Sequence, residues 1–276
     1  MSIPKTIVVT NPWQQLRGFT AARIALGRTG VSQPTQPQLA FQLAHARARD
    51  AVHLALDVPQ LLQDLESAAL ACAQDCLVLD SAAGDRLHYL QNPDLGRRLD
   101  EASRARLADR KPPSAARDYD MSMVLADGLS AQAIAQHAVP FLTALGRSIA
   151  AENWSQAPLT IVRQGRVAVG DEVAELLGAR LVLLLIGERP GLSSPDSMGL
   201  YLTWMPRVGL RDDSRNCISN IRLAGLSYEE AALKAHYLLS EIQKRQLSGV
   251  LLKDESPGGP ALPRSPGSNF LLDRPA

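Results

Sequence analysis

The 276-residue sequence predicts an α/β fold: a Rossmann-like, mostly parallel sheet with helices on both faces, preceded by a helical N-terminal region. Two observations carry that reading. Residues 181–191, LVLLLIGERPG, hold a wholly apolar run that stops at Gly187, and such a run fits a strand covered on both faces. From about residue 121 onward, short apolar runs alternate with amphipathic segments, the spacing of right-handed crossovers in a parallel sheet.

In chain order, Ile7 to Val9 form a small apolar patch, and Pro12 after Asn11 suits the first turn of a helix. The segment breaks at Gly30 and around Pro34 and Pro37. Leu39, Leu43 and Ala46 then recur at helical spacing, and Leu54, Leu61, Leu62 and Leu65 carry that character to about Ala73. Residues 1–73 therefore read as a helical region that packs on a partner subunit, 74–252 as the sheet domain, and 253–276 as a disordered Pro- and Gly-rich tail.

Cys76 to Leu79 is a short strand candidate. Asn92 and Pro93 mark a turn into a charged helix, with Asp94 at its start to complement the macrodipole. Lys111 to Arg117 reads as a loop that leads into the sheet. Met121 to Ala126 is a buried strand, and Asp127, Gly128 and Ser130 form the turn into a helix that Pro140 is expected to split. Leu159 to Val162 is the next strand. Asp171 to Leu177 is a short helix closed by Gly178, and Leu200 to Met205 a further strand. Residues Arg207 to Asn220 read as a polar loop carrying NCISN. Ser227 and Glu230 make a capping box for a last helix that buries Ala235, Leu238, Leu239 and Ile242.

Charge and motifs exclude several functions. With 29 basic and 28 acidic residues there is no net field to attract nucleic acid, and aromatic residues are too sparse for base stacking. No apolar run is long enough to span a bilayer. Three cysteines, an odd number, suit a reducing compartment, and Cys72 and Cys76, one helical turn apart, read as small thiols on a helix. There is no G-x-G-x-x-G fingerprint, no phosphate-binding P-loop, and no H-E-x-x-H pair among five scattered histidines. A nucleophile, base and orienting acid do not assemble. The ADGLS turn at Asp127 to Ser130 is either simple capping or an anion site at a helix N-terminus. Glu188 and Arg189 are either a solvated pair or part of a site beyond a strand's carboxyl end. Cys217 lies among polar neighbours, as a ligand-facing contact or a reactive thiol.

Taken together, ARIALGRTG, YLQNPDLGRRL, VLADGLSAQAI, GRVAVGDEVAELLGARLVLLLIGERPGL and NCISNIRLAG, in this order, resemble the small (light) subunit of ethanolamine ammonia-lyase over nearly the whole chain. The resemblance implies a Rossmann-like core assembled with a large TIM-barrel subunit, commonly six of each. It implies adenosylcobalamin between the two subunits and conversion of ethanolamine to acetaldehyde and ammonia by adenosyl-radical chemistry. Catalytic side chains are then expected on the large subunit. Cobalamin contacts fall on Val167 of GRVAV, Glu188 of GERPG and Cys217 of NCISN. No D-x-H-x-x-G motif is present, so a base-on cofactor is expected. A bacterial cytoplasmic location follows, with packaging in a microcompartment in doubt because the N-terminal extension is short. The alternatives are an independent Rossmann-like enzyme with a nucleotide at Asp127 to Ser130, and a non-catalytic scaffold.

Overall fold

The computed structural model describes residues 7–70, 75–110 and 119–256. The tail beyond 256, the 111–117 loop expected from KPPSAAR, and Cys72 lie outside the described residues. β1 (Val8–Val9) pairs antiparallel with β2 (Arg28–Thr29). Between them Pro12 opens a 3-10 turn, Pro12–Gly18, in which Asn11 Oδ1 accepts from Trp13 N at 2.9 Å. α1 (Thr35–His53) and α2 (Val58–Ser67) follow, so the helical N-terminal region is present but interrupted by the β1–β2 hairpin. α2 turns Val58, Leu61 and Leu65 into the core, whereas α1 buries only Ala51.

The main sheet has six strands: β3 (Leu77–Asp80), β4 (Tyr119–Ala126), β5 (Thr160–Arg163), β6 (Ala179–Gly187), β7 (Met198–Trp204) and β8 (Arg215–Ile221). They lie in the order β3-β5-β4-β6-β7-β8. The first four are parallel, while β7 runs antiparallel to β6 and β8 antiparallel to β7. β6 is flanked by β4 and β7 and is buried along nearly its whole length, which is why it reads as an unbroken apolar run.

Helices cover both faces. α5 (Ala131–Ser148) and α7 (Tyr228–Arg245) enclose one apolar cluster with α2, and α6 (Val169–Leu177) with α4 (Glu101–Ala108) encloses the other. Gly178 ends α6 at φ 73°, the left-handed conformation in which a Cβ is costly. The Ser227–Glu230 capping box opens α7. No helix among the described residues is long and apolar enough to cross a membrane.

Four local expectations are corrected. Residues 207–220 are not all loop, because β8 occupies Arg215 to Ile221. It is an edge strand with one watery side, so its polar residues alternate with the inward Ile218 and Ile221 rather than marking a loop. Pro140 does not split α5, since both it and Gln136, whose carbonyl loses its donor, are on the solvent side. After α3 (Arg86–Gln91) and the Asn92–Pro93 turn comes only a 3-10 turn, Leu95–Arg97. The helix beyond is α4, and Asp100, not Asp94, caps it by accepting from Ser103 N at 2.7 Å. Cys76 sits just ahead of β3 and not on a helix.

Candidate functional site

The three residues singled out in the sequence lie at the margin of the α6 side of the sheet. On that side α6 covers β4 and β6, while β7 and β8 take their helix packing from α5 and α7 on the opposite side. On the α6-side surface of β7 and β8, Tyr201 is thus left half-buried and Cys217 exposed, while Gly199, Thr203 and Arg215 are buried. Val167 lies in the short link between β5 and α6, and with Tyr201 of β7 it packs against the cluster beneath α6. Cys217 stands opposite Tyr201 on β8 and is exposed.

Glu188 is the first residue after β6 and is held from three directions. Its N–H donates to Ser197 O at 2.8 Å. Its carboxylate accepts from the Ser197 hydroxyl on Oε2, from the Ser219 hydroxyl on Oε1, and from Asn220 N at 3.3 Å. A register shift opposite Met198 to Leu200 leaves an extra residue in β8, and Asn220 there takes φ 63°. Such bulges re-aim side chains beside sites; here the bulge lies where Ser219 and Asn220 meet the carboxylate. A Cβ on Gly199 would stand 2.8 Å from Glu188 Oε1, so the missing side chain gives that carboxylate room to lie against β7.

The 188–197 loop is itself anchored. Ser130 Oγ donates to Pro195 O at 2.8 Å, Arg23 Nη2 to Leu192 O at 3.1 Å, and Arg222 Nη1 to Ser193 O at 3.3 Å. Asp196 lies 3.5 Å from Nε2 of the buried His137, whose Nδ1 is 2.9 Å from the Tyr228 hydroxyl. Burial pushes the His137 pKa down, with Asp196 opposing. Arg189 is exposed, and its side chain makes no ion pair or hydrogen bond among the described residues.

The chemistry of this surface is that of contact. Although the Cys217 side chain reaches the surface, partial burial against the sheet pushes its thiol pKa up, with the hydrogen bond to Tyr201 working the other way. Burial also raises the Tyr201 hydroxyl above its usual range. A thiol kept protonated is a poor nucleophile, which favours the ligand-facing reading of Cys217 over the reactive one. Ser197, Gly199, Tyr201, Ser219 and Asn220 were not singled out in the sequence. The available signal was a lone glycine inside the apolar run MGLYLTW, which marks a close approach in a strand.

The turn at Asp127 to Ser130, the other candidate, is closed. A Cβ on Gly128 would meet Gly187 O at 2.2 Å, one on Gly187 would meet Ser130 O at 2.0 Å, and Leu129 N donates to Gly187 O at 3.0 Å. Backbone thus occupies the space a phosphate needs. Ser130 accepts from Ala133 N at 3.2 Å, so the capping reading stands. Beside it, Tyr89 of α3 is fully buried between the guanidinium groups of Arg86 (4.8 Å) and Arg166 (4.4 Å) and donates to Gly165 O at 3.1 Å. Asp127 accepts from Gly165 N at 3.2 Å, and burial pushes its carboxyl up to about 6, with Arg86 opposing.

Residues 10–253 match the family model described as ethanolamine ammonia-lyase light chain (EutC). Relatives named ethanolamine ammonia-lyase small subunit include one from Pseudomonas paraeruginosa (strain DSM 24068 / PA7), 57% identical over 96% of this chain and 95% of the relative. One from Pseudomonas putida (strain GB-1) is 57% identical over 91% of each chain, and one from Ralstonia nicotianae is 56% identical over 96% of each.

Proposed function

The chain belongs to the ethanolamine ammonia-lyase light-chain family, and from that membership we propose that it is the cofactor-covering small subunit of an adenosylcobalamin-dependent lyase that converts ethanolamine to acetaldehyde and ammonia. A small subunit implies a large one. The large subunit is proposed to hold the substrate and the catalytic side chains, with six of each subunit in the assembly and the base-on cofactor between them. The observation that carries this reading is the open β7–β8 face with a carboxylate fixed at its edge by Ser197, Ser219 and Asn220.

The residues present fit such a group. A corrin ring is rimmed with primary amides that donate hydrogen bonds, and the Glu188 carboxylate keeps acceptor capacity beyond the three donors it already has. Gly199, which has no Cβ, leaves the Glu188 carboxylate room to lie against β7. Cys217, opposite the half-buried Tyr201, and Val167, at the edge of the same apolar cluster, offer small contact surfaces of the kind ligand-binding sites use. When bound, the cofactor supplies the radical chemistry. This chain's residues orient it: Glu188 as acceptor, Val167 and Cys217 as packing, Ser197 and Ser219 as the groups that fix Glu188.

Reconstitution tests the proposal. The chain alone should release no ammonia from ethanolamine, and the complex with a large subunit and adenosylcobalamin should. Glu188→Ala should weaken adenosylcobalamin binding by the complex about tenfold in a spectrophotometric titration, as expected for a lost charge-assisted hydrogen bond. Turnover without the large subunit would refute the proposal, and unchanged affinity in Glu188→Ala would favour a scaffold that does not touch the cofactor.

A further inference from the structure

A cavity of about 510 Å³ lies between residues 97–98, the start of α6 at Ala168 and the 208–212 segment ahead of β8. Its lining includes Arg97, Arg98 and Arg211 together with Ala168, Leu210 and Asp212. The three arginine side chains have no ion pair or hydrogen bond among the described residues, in contrast to their neighbours. Arg104 pairs with Glu172 at 2.6 Å, Arg163 with Asp80 at 2.7 Å, and Arg215 with Asp171. The one carboxylate in the lining, Asp212, is 3.3 Å from Arg215 Nη1. Three guanidinium groups without counterions around one concavity make an anion site of the kind arginine forms best, since its planar fork matches phosphate oxygens two at a time.

The cavity's place in the fold decides which anion. Ala168 is the residue after Val167, and Leu210 O accepts from Arg215 Nη2 at 3.3 Å. Arg215 and Cys217 are two apart on β8 and so share a face. The cavity and the β7–β8 surface therefore share the α6–β8 seam as a wall. A cobalamin carries one phosphodiester, in the nucleotide loop that tethers its lower base to the corrin rim, and the cavity's volume lies within the range of small-molecule sites.

We propose that Arg97, Arg98 and Arg211 bind the nucleotide-loop phosphodiester of the cofactor whose corrin faces Val167, Glu188 and Cys217. The inference rests on the cobalamin reading above. It assigns to this subunit the recognition of intact cobalamin over corrinoids that lack the nucleotide loop.

The complex with the large subunit is titrated with three probes: adenosylcobalamin, adenosylcobinamide phosphate, and adenosylcobinamide, which has no phosphate. Arg97→Ala/Arg98→Ala and Arg211→Ala should each weaken the first two about tenfold or more and leave adenosylcobinamide unchanged, with Arg211→Lys recovering part of the loss. All three side chains are exposed, so folding should not be at stake. Equal losses for all three probes, or none, would overturn the assignment. So would weaker association with the large subunit at unchanged corrinoid affinity, because the arginines would then pair with acidic side chains of that subunit. If the wild-type complex bound none of the probes, the cobalamin reading itself would fall, an outcome distinct from the others.

Discussion

Two clefts compete for a ligand in this sheet, and the chain has closed one and left the other open. The first lies between β4 and β5, whose following helices, α5 and α6, leave to opposite faces; open α/β sheets usually bind ligands at such a switch point. Here it is filled by the protein itself, with Tyr89 stacked between Arg86 and Arg166 above the buried Asp127. The second is the α6-side face of β7 and β8, added antiparallel beyond β6, where Glu188 and Tyr201 are half-buried and Cys217 is exposed. Topology proposes a site, and packing decides whether space remains there. Polar and charged groups occur at both clefts, but only at the second is there space beside them.

The closed cleft can be broken outright. Tyr89→Ala removes a fully buried ring, its hydroxyl bond to Gly165 O, and the surface that carries two arginines. The expected cost is about 3–5 kcal/mol of unfolding free energy in a denaturant titration. A loss under about 1 kcal/mol would mean that the crevice is not packed as described and could admit a ligand. The Nε of Arg166 and one Nη of Arg86 are buried without a partner, so they already depend on that ring for their placement.

A smaller and more selective effect comes from Asp127 in the same cleft. Its folded-state pKa of about 6 lies above the unfolded carboxyl value of 3.8. The folded protein therefore holds more protons than the unfolded chain between those limits. Stability from this group is present below about pH 4 and is lost as pH rises through about 6. Relative to Asp127→Asn, the wild type should lose about 2–3 kcal/mol across that window, and a difference that stays flat with pH would contradict the buried placement.

The contrast also explains what the sequence disclosed. β6 was legible because burial on both faces leaves no polar residue from Leu181 to Ile186, and Gly178 and the Ser227–Glu230 box were legible because each is a local backbone requirement. Glu188 was legible by position alone, at the end of that strand. β8 was not, because an edge strand with one wet face and a bulge looks like a loop. The plug at the switch point was hidden for another reason: Tyr89 reaches Gly165 across 76 residues, and no local pattern announces such a contact. Position of a strand end is written locally, whereas the occupancy of the space beyond it is not.

The finest test of the comparison is Gly199→Ala at the open cleft, because it alters space without altering charge. The new Cβ would meet Glu188 Oε1 at 2.8 Å and Cγ at 3.2 Å. The first is the end of a side chain, so the fold can yield there, and alanine is no worse than glycine in a strand interior. Unfolding free energy should change by less than about 1 kcal/mol. Glu188, however, must leave the position set by Ser197 and Ser219, so adenosylcobalamin affinity of the complex should fall several-fold, on the order of 1 kcal/mol. If the fall comes through Glu188, adding Gly199→Ala to Glu188→Ala should cost almost nothing more. Additive losses would instead mean that the alanine methyl obstructs the ligand directly, and that the carboxylate and the gap beside it act as separate features of the surface.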